Sequence, residues 1–363
     1  SCAGPMPSPF GATLFAGQDL VVVGHRILVY GDAPDNSAAS LFAAELQTLG
    51  VELMPDQGGP PARVNHAMAA LDHTVYVFSG SLDVLAATAF DAFHAFHVPT
   101  RQWRNLSHPQ AGTLPGKRFL HTMAAVAPQL WVFGGGAYVA GFVCEPTPKA
   151  LNDLHSFHTG TGAWTRHTDA AGPPPTPRWG HGMVAVGATL YIFGGYTQTQ
   201  GGNATHPECV RGYLNDLFAL DTGSLTWTNL STPASGTPPP DRAQGGLAES
   251  DGVLYVFGGL THFANFHYND LHAYQIANRR WTDLSNPDFG RAPEPRAWFA
   301  MGIAQGVISH SARTAGQVLY VLGGVRRVPG DAAQQFLFYD LHAYDIKSRS
   351  WAEIDFPCPA RPR

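Results

Sequence analysis

The sequence has 363 residues, of which 44% are hydrophobic and only 13% are charged, and its formal net charge is −5. Its 40 glycines and 29 prolines indicate many turns, but the hydrophobic content is that of a folded chain rather than a disordered one. The negative charge argues against nucleic acid as a partner, because that class of ligand needs a basic face. No apolar run reaches the roughly 18 residues of a membrane-spanning helix, so we expect no direct membrane insertion.

One short pattern recurs six times along the chain: a run of apolar, strand-forming residues leads directly into glycine. The six copies occupy residues 27–32, 75–80, 130–135, 190–195, 254–259 and 319–324. From the third copy onward, an alternating strand that opens with Asp-Leu follows after a variable gap. A tryptophan then closes each of copies two to six. These tryptophans are Trp103, Trp164, Trp227, Trp281 and Trp351.

Each copy reads as four short strands, which we name A to D in chain order. The alternation of apolar and polar residues in A, C and D predicts strands with one buried face. Strand B is apolar on both sides and should be covered on both faces. The tryptophan of strand D is large enough to wedge between neighbouring sheets. Because a lone four-stranded sheet cannot bury its faces, we expect the six sheets to pack around an axis.

The sequence therefore predicts an all-β fold, a six-bladed β-propeller with four antiparallel strands per blade. We expect a single domain over residues 1–363, with blades at approximately 9–54, 60–106, 115–167, 176–230, 240–284 and 294–356. The glycine pair after strand B, the Asn-Asp-Leu motif and the spaced tryptophan resemble the Kelch-repeat family over nearly the whole chain. This resemblance implies a Kelch-type propeller that binds its ligands on the face carrying the B–C and D–A loops.

The two ends of the chain should meet where the ring closes. We expect the first copy to begin with its own strand A near residues 12–16 and the sixth to keep its own strand D at residues 350–355. Closure would then rest on side-chain packing. Cys2 and Cys358 flank this seam, and a disulfide between them would contribute about 4 kcal/mol by restricting the unfolded chain. Cys144 and Cys209 lie in neighbouring B–C loops and predict a second disulfide, although four unpaired buried thiols are the alternative.

Paired cysteines would indicate an oxidising compartment. Glycosylation sequons at Asn105, Asn203 and Asn229 are compatible with secretion, but Asn105 and Asn229 stand at the ordinary end-of-strand position. The chain begins at Ser1 rather than Met, from which we expect that an upstream segment was removed. The expected location is extracellular or the secretory lumen, with the cytoplasm as the alternative.

The B–C loops carry most of the unusual residues of this sequence. They should emerge on the same face as the D–A loops, which are rich in proline. Exposed aromatic side chains on such rigidly based loops suit an interface. The alternative is that the long loops pack on one another. The candidate ligand-binding aromatics are Tyr138, Tyr196, Phe263, Phe266 and Tyr268.

An arginine stands at the same register before strand A in copies two to six. If these side chains ring the mouth of the central channel, their guanidinium groups could bind carboxylates of an acidic peptide, and the Kelch resemblance implies this role. The alternative is that each arginine bonds carbonyl groups of the adjacent blade, because a repeated position usually serves the repeat. The five residues are Arg63, Arg118, Arg178, Arg242 and Arg296.

No spacing typical of a catalytic centre is present, since HExxH, GxSxG and P-loop motifs are all missing from the sequence. We expect no cofactor, no bound metal and no enzymatic activity. The expected function is that of an interaction or scaffold module that binds another protein or peptide through the loop face. The alternative is a carbohydrate-binding or sugar-epimerase-like propeller, in which the arginine ring would act with Glu249 or Glu294.

Overall fold

The computed structural model describes residues 19–32, 39–46, 48, 50–82, 89–139, 144, 148–202, 207–261, 266–307, 313–328 and 331–354. This part of the chain folds into 24 strands that form six antiparallel sheets of four strands each. Within it, no helix has the length and apolar character needed to cross a membrane.

The strands follow one another in the same A-B-C-D order in every sheet. Blades 1 to 3 comprise β1 (Asp19–Val23), β2 (Arg26–Asp32), β3 (Ala39–Glu45), β4 (Gly50–Leu53), β5 (Ala67–Leu71), β6 (Thr74–Phe78), β7 (Phe93–His97), β8 (Gln102–Asn105), β9 (Thr122–Val126), β10 (Gln129–Ala137), β11 (Lys149–His158) and β12 (Ala163–His167). Blades 4 to 6 comprise β13 (Gly182–Val186), β14 (Thr189–Gly202), β15 (Pro207–Asp221), β16 (Thr226–Asn229), β17 (Gly246–Ser250), β18 (Val253–Thr261), β19 (Phe266–Gln275), β20 (Arg280–Asp283), β21 (Ala300–Val307), β22 (Arg313–Val328), β23 (Asp331–Asp345) and β24 (Ser350–Glu353).

The six sheets form a closed ring. The A strands of consecutive blades contact one another in the order β1, β5, β9, β13, β17, β21 and back to β1, so they surround a central channel. The predicted six-bladed β-propeller is therefore confirmed. Strand B of each blade ends on the same face as strand D, and this is the face from which the B–C hairpins project.

The hydrophobic core is divided into layers, with one layer between each pair of neighbouring blades. Strand β10 shows how one strand serves two layers. Leu130 and Val132 pack toward blade 2, whereas Trp131 and Phe133 pack toward blade 4. The strand-D tryptophan fills the same layers: Trp164 is 4% exposed and packs against blade 2. The expected burial of strand B on both faces is thus confirmed.

Blade 1 and blade 6 are each built from their own four strands, so the ring closes by packing rather than by strand exchange. Leu20 and Val29 of blade 1 lie in one core layer with Val318 and Tyr320 of blade 6. The expected position of the first strand A at residues 12–16 is wrong. The innermost strand is β1, because its run of three valines pairs with β2 across a tight turn at Gly24-His25. Cys2 and Cys358 lie outside the described residues.

The D–A connections that lead into blades 3 to 6 each run along the outer strand of the blade they enter before they return to the channel. A parallel bridge joins Ala111 to Ala163, and Trp164 donates its backbone N–H to the carbonyl of Ala111 at 3.0 Å. Gly112 follows with a φ of +75°, and a Cβ at this position would collide with the Trp164 carbonyl. The same close approach recurs in three later connections, at Gly172, Gly236 and Gly290.

We expect Gly112→Ala to lower the free energy of unfolding by at least about 2 kcal/mol, because it adds a positive-φ penalty to a backbone collision. Gly116→Ala is the matched control in the same connection, since its Cβ would meet nothing within 4 Å. Urea denaturation of both variants measures the difference. Equal stability of the two variants would contradict the close approach.

Candidate functional site

The five repeated arginines are buried, with exposures of 0–2%. In each of blades 2 to 6 the guanidinium spans from the segment before strand A to the end of strand B. For example, Arg178 donates from Nε to the carbonyl of Thr176 at 2.8 Å and from Nη1 to that of Gly194 at 2.9 Å. The other four arginines make the corresponding pair of bonds.

In blades 3 to 6 the aspartate that precedes Leu at the start of the strand-C motif is the counter-ion of this arginine. Arg118 binds both carboxylate oxygens of Asp153 at 2.9 Å, and the other pairs are Arg178–Asp216, Arg242–Asp270 and Arg296–Asp340. In three of these blades a histidine also contacts the carboxylate at 2.9 Å. Burial alone would raise the pKa of Asp270, but the hydrogen bonds from Arg242 and His272 outweigh it and lower the pKa to about 2.

The expectation of a ring of free guanidinium groups is therefore wrong for Arg63, Arg118, Arg178, Arg242 and Arg296. Their charges are enclosed, and none of them lines the cavities of the central channel. Each side chain bonds carbonyl groups as in the alternative interpretation, although these carbonyls belong to its own blade. The missed signal was the aspartate in the Asn-Asp-Leu motif, which recurs in step with the arginine.

Blade 2 breaks this pattern because Ala92 occupies the place of the aspartate. Arg63 still donates to the carbonyls of Pro61 and Ser79, but its Nη2 is buried without a partner. Its guanidinium lies 4.5 Å from the centre of the Phe90 ring. Burial lowers the pKa of Arg63 to about 10, and burial together with the nearby Arg63 charge lowers the pKa of His94 to about 4.

The five candidate aromatics differ in their surroundings. Tyr138 and Phe266 are exposed, at 48% and 54%, as expected for residues at an interface. Tyr196 is instead 6% exposed and packs between Trp179 and Tyr213, and Tyr268 lies under the Arg242 guanidinium at 4.3 Å. The expectation of exposure is wrong for Tyr196, because the long hairpin of blade 4 buries its inward-facing ring, whereas Tyr268 is partly exposed. Phe263 lies outside the described residues.

A pocket of about 200 Å³ opens beside Tyr196 on the extended hairpin of blade 4. Its walls include Trp179, Tyr213 and Leu260, with Arg211 at the rim. A disulfide between Cys144 and Cys209 joins this hairpin to the B–C loop of blade 3, with the two Cα atoms 5.8 Å apart. This is the pairing expected from the sequence, and it braces the two neighbouring loops.

A collar of five equivalent residues surrounds the channel mouth on the loop face. Each stands two positions after the repeated arginine and has a φ between 51° and 61°. In blades 3 to 6 the N–H of the collar residue donates to the carbonyl of the collar residue in the preceding blade at 2.7–3.2 Å, so the five backbones are hydrogen-bonded in sequence around the channel. The collar residues are Asn65, Leu120, Gly180, Gln244 and Trp298.

The residue after the collar is histidine in blades 2 to 4, and it packs between blades. His121 contacts Phe78 of the preceding blade edge-on at 5.3 Å, and the rings of His66 and His181 make equivalent contacts. Burial, with a smaller contribution from the nearby Arg63 charge, lowers the pKa of His66 to about 3, and burial lowers the pKa values of His121 and His181 well below the usual range. These imidazoles are therefore neutral at pH 7.

The remaining predicted residues have structural contacts of their own. Glu249 accepts the backbone N–H of Gly252, and Glu294 pairs with Arg291 and Arg326. The side-chain oxygens of Asn105 and Asn229 accept backbone N–H groups two residues later, as Asp283 does in blade 5. Asn203 lies outside the described residues. Within the described ranges, no group of three His, Cys, Asp or Glu side chains is arranged to hold a metal ion.

We expect Ala92→Asp to raise the free energy of unfolding by about 1–2 kcal/mol, because it supplies the counter-ion that Arg63 lacks. The pKa of His94 should rise at the same time, since the new carboxylate would accept its hydrogen bond as in blades 3, 5 and 6. Urea denaturation and NMR titration measure the two effects. Ala92→Asn is the uncharged control, and equal stability of the two variants would contradict the assignment.

The free energy of unfolding should also depend on pH through the three histidines that follow the collar residues, His66, His121 and His181. The unfolded chain protonates His66 near pH 6.5, whereas the folded protein does so only near pH 3. The unfolded state therefore gains the proton first as pH falls, and the free energy of unfolding drops by about 1–2 kcal/mol per such histidine between pH 7 and pH 5. Blade 6 has Phe299 at this position, so His66→Phe should fold and lose less stability over that interval. A parallel loss in both proteins would contradict this.

Comparison with known proteins agrees with this architecture. The family model described as the KLHDC2/KLHL20/DRC7 Kelch-repeats domain matches residues 17–165 and 138–309. Kelch domain-containing protein 3 of Bos taurus is 29% identical over 323 residues, which are 84% of this chain and 74% of that protein. Host cell factor 1 of Rattus norvegicus is 27% identical over 278 residues, which are 73% of this chain and 12% of that protein.

One similar protein has the name of an enzyme. N-(sulfonatooxy)prop-2-enimidothioate sulfolyase of Thlaspi arvense is 29% identical over 197 residues, which are 54% of this chain and 49% of that protein. The family model, by contrast, covers well over half of the chain, and it matches the repeat whose arginine, glycine pair and tryptophan hold the blades together. This chain belongs to the Kelch-repeat proteins.

Proposed function

We propose that this chain is a non-catalytic interaction module that binds a partner protein through the face formed by its B–C hairpins and D–A connections. The observation that carries the proposal is the distribution of exposed hydrophobic side chains. In the described part of the chain, six of the eight strongly exposed large hydrophobics belong to B–C hairpins: Leu82, Tyr138, Val139, Val210, Phe266 and Phe336. The concentration of these residues on one face, over five adjacent blades, supports a protein interface there.

The backbone beneath these side chains supports binding with little loss of entropy. In blades 4 and 5 the described parts of the hairpins continue the ladders of β14–β15 and β18–β19 as far as the pairs Gly202–Pro207 and Thr261–Phe266, so these parts are extensions of the sheets. The disulfide between Cys144 and Cys209 restrains one of them further. A preformed surface requires less ordering when a partner binds, which leaves more of the contact energy for affinity.

The same face contains a concave element, the aromatic pocket beside Tyr196. Its volume of about 200 Å³ suits one apolar or aromatic side chain of a partner, and the collar residue Gln244 forms part of its wall. Anchoring of one large side chain in a pocket within a wider contact area is a common arrangement in protein interfaces. Because the five repeated arginines are buried, they do not form an exposed basic ring, which was the reason to expect an acidic or glycan ligand.

The location in an extracellular or lumenal compartment, with the cytoplasm as the alternative, is part of this proposal. What supports it is the pairing of Cys144 with Cys209, since disulfides persist mainly in oxidising environments. Free thiols at both positions in protein isolated from its native source would contradict it.

We expect a photo-crosslinking amino acid at position 266, 210 or 336 to capture a partner in the native host, and one at position 289 to capture none. Phe289 is a matched control because it is 73% exposed but lies beside the start of β24, where the C–D turns emerge. With the partner identified, Phe266→Ser should weaken binding at least tenfold and Phe289→Ser should not. Crosslinks that concentrate at position 289 would contradict the assigned face.

A further inference from the structure

The channel mouth contains a cavity that the interface described above does not use. It has a volume of about 130 Å³ and is bordered by the collar, by the three neutral histidines and by Asp19 of blade 1. Pockets for small-molecule ligands usually measure about 300–1,000 Å³. The mouth cavity alone is below this range and suits a single side chain, and it adjoins a channel cavity of about 390 Å³ that Asp19 also borders.

The collar keeps side chains at positions where the backbone favours glycine. Asn65, Leu120, Gln244 and Trp298 all have left-handed φ values, and this conformation costs a non-glycine residue of order 1 kcal/mol. Gly180 shows that the fold accepts glycine at the same place. Residues with a left-handed backbone conformation are often found at ligand sites, where the surrounding structure holds them in place. Here all five collar residues border one cavity.

Several polar atoms around this cavity are buried without a hydrogen-bond partner. They include Oδ1 of Asn65, Oε1 of Gln244 and both ring nitrogens of His66 and of His121. The side chains of Asn65, His66 and His121 are each at least 95% buried. Buried polar groups are nearly always satisfied, so unsatisfied ones that line a cavity indicate a missing ligand or water. A neutral imidazole and an amide oxygen can each accept a hydrogen bond here.

The charge in the cavity is negative. Asp19 accepts backbone N–H groups from Leu20 at 2.8 Å and from Met68 at 2.7 Å, which leaves acceptor positions on both of its oxygens. Across the described ranges, no lysine or arginine forms an ion pair with it. Burial raises the pKa of Asp19 to about 6, so the carboxylate is ionised at neutral pH in spite of its surroundings.

The positive charges of the region lie outside the cavity. Arg327 stacks on Trp298 at 5.8 Å from the hairpin of blade 6, and neither it nor the enclosed Arg63 borders the space. An unpaired carboxylate that faces a small cavity, with amide oxygens and imidazole nitrogens that can accept further hydrogen bonds, is complementary to a cationic donor group.

We propose that the channel mouth binds the ammonium or guanidinium group of a lysine or arginine side chain, with Asp19 as its counter-ion and Asn65 and Gln244 as further acceptors. This inference rests on the proposed function for the source of the side chain, which is the partner protein on the loop face. The collar then acts as a specificity-determining socket at the centre of that face.

The direct test uses single-residue probes, so it requires no knowledge of the partner. Ligand-observed NMR should detect binding of N-acetyl-arginine amide or N-acetyl-lysine amide, and N-acetyl-citrulline amide serves as the uncharged analogue of the arginine probe. We expect binding of the cationic probes to perturb the ring signals of His66 and His121. Equal binding of the arginine and citrulline probes, or binding of neither cationic probe, would overturn the proposal.

Two variants, Asp19→Asn and Gln244→Gly, test whether the probes bind at the channel mouth. Asp19→Asn should weaken probe binding at least tenfold, while Asp56→Asn, which removes the same charge from an exposed position, should not. Gln244→Gly removes an acceptor at a position where glycine is conformationally favoured, so it should weaken binding without loss of stability. Unchanged binding in a folded Asp19→Asn or Gln244→Gly variant would overturn the socket. Loss of partner binding in Phe266→Ser with probe binding unchanged would support the loop-face interface separately.

Discussion

In each of blades 3 to 6 one buried arginine links two neighbouring blades, and the packing of these blades depends on this contact. The main chain of Arg178 bonds to blade 3, since its N–H donates to Leu151 and its carbonyl accepts from Gly135. Its guanidinium bonds to blade 4 through Gly194 and Asp216. A buried guanidinium is tolerated only when its charge and its donors are satisfied, and removal of one partner of such a pair costs about 3–5 kcal/mol. The arginine therefore fixes the angle between neighbouring sheets as well as the end of each strand B.

The glycine pair after strand B is the other half of the same contact. Gly194 has a φ of +65° and directs its carbonyl to the guanidinium, while Gly195, at +105°, directs its N–H to the main chain of Arg242 in the next blade. A Cβ on Gly195 would also meet the Cβ of His181 at 3.0 Å. Two glycines thus follow the apolar strand for two reasons: the backbone must adopt left-handed angles to make these hydrogen bonds, and there is no room for a side chain.

Sequence reasoning predicted the repeated parts of this structure and failed where individual residues depart from the repeat. The blade count, the strand order and the wedge tryptophans follow from periodicity, which reports burial. The pairing of Arg118 with Asp153 joins residues 35 positions apart, and only the fold shows that their side chains meet. The left-handed collar was also missed, because Leu120 and Trp298 are residues that seldom adopt this conformation. Gly180, at the same register, was the one available signal.

The separation between repeated and unrepeated residues also explains how such a fold can carry a specific site. The repeated arginines, glycines and tryptophans are buried in structural contacts within and between blades. They therefore cannot contact a ligand or distinguish one ligand from another. The collar has one backbone geometry but a different residue in each of blades 2 to 6, and Asp19 has no acidic counterpart at the first position of any other strand A. A symmetric scaffold therefore presents an asymmetric surface at the channel mouth. Changes of side chain there alter the chemistry of the surface and leave the contacts that close the ring intact.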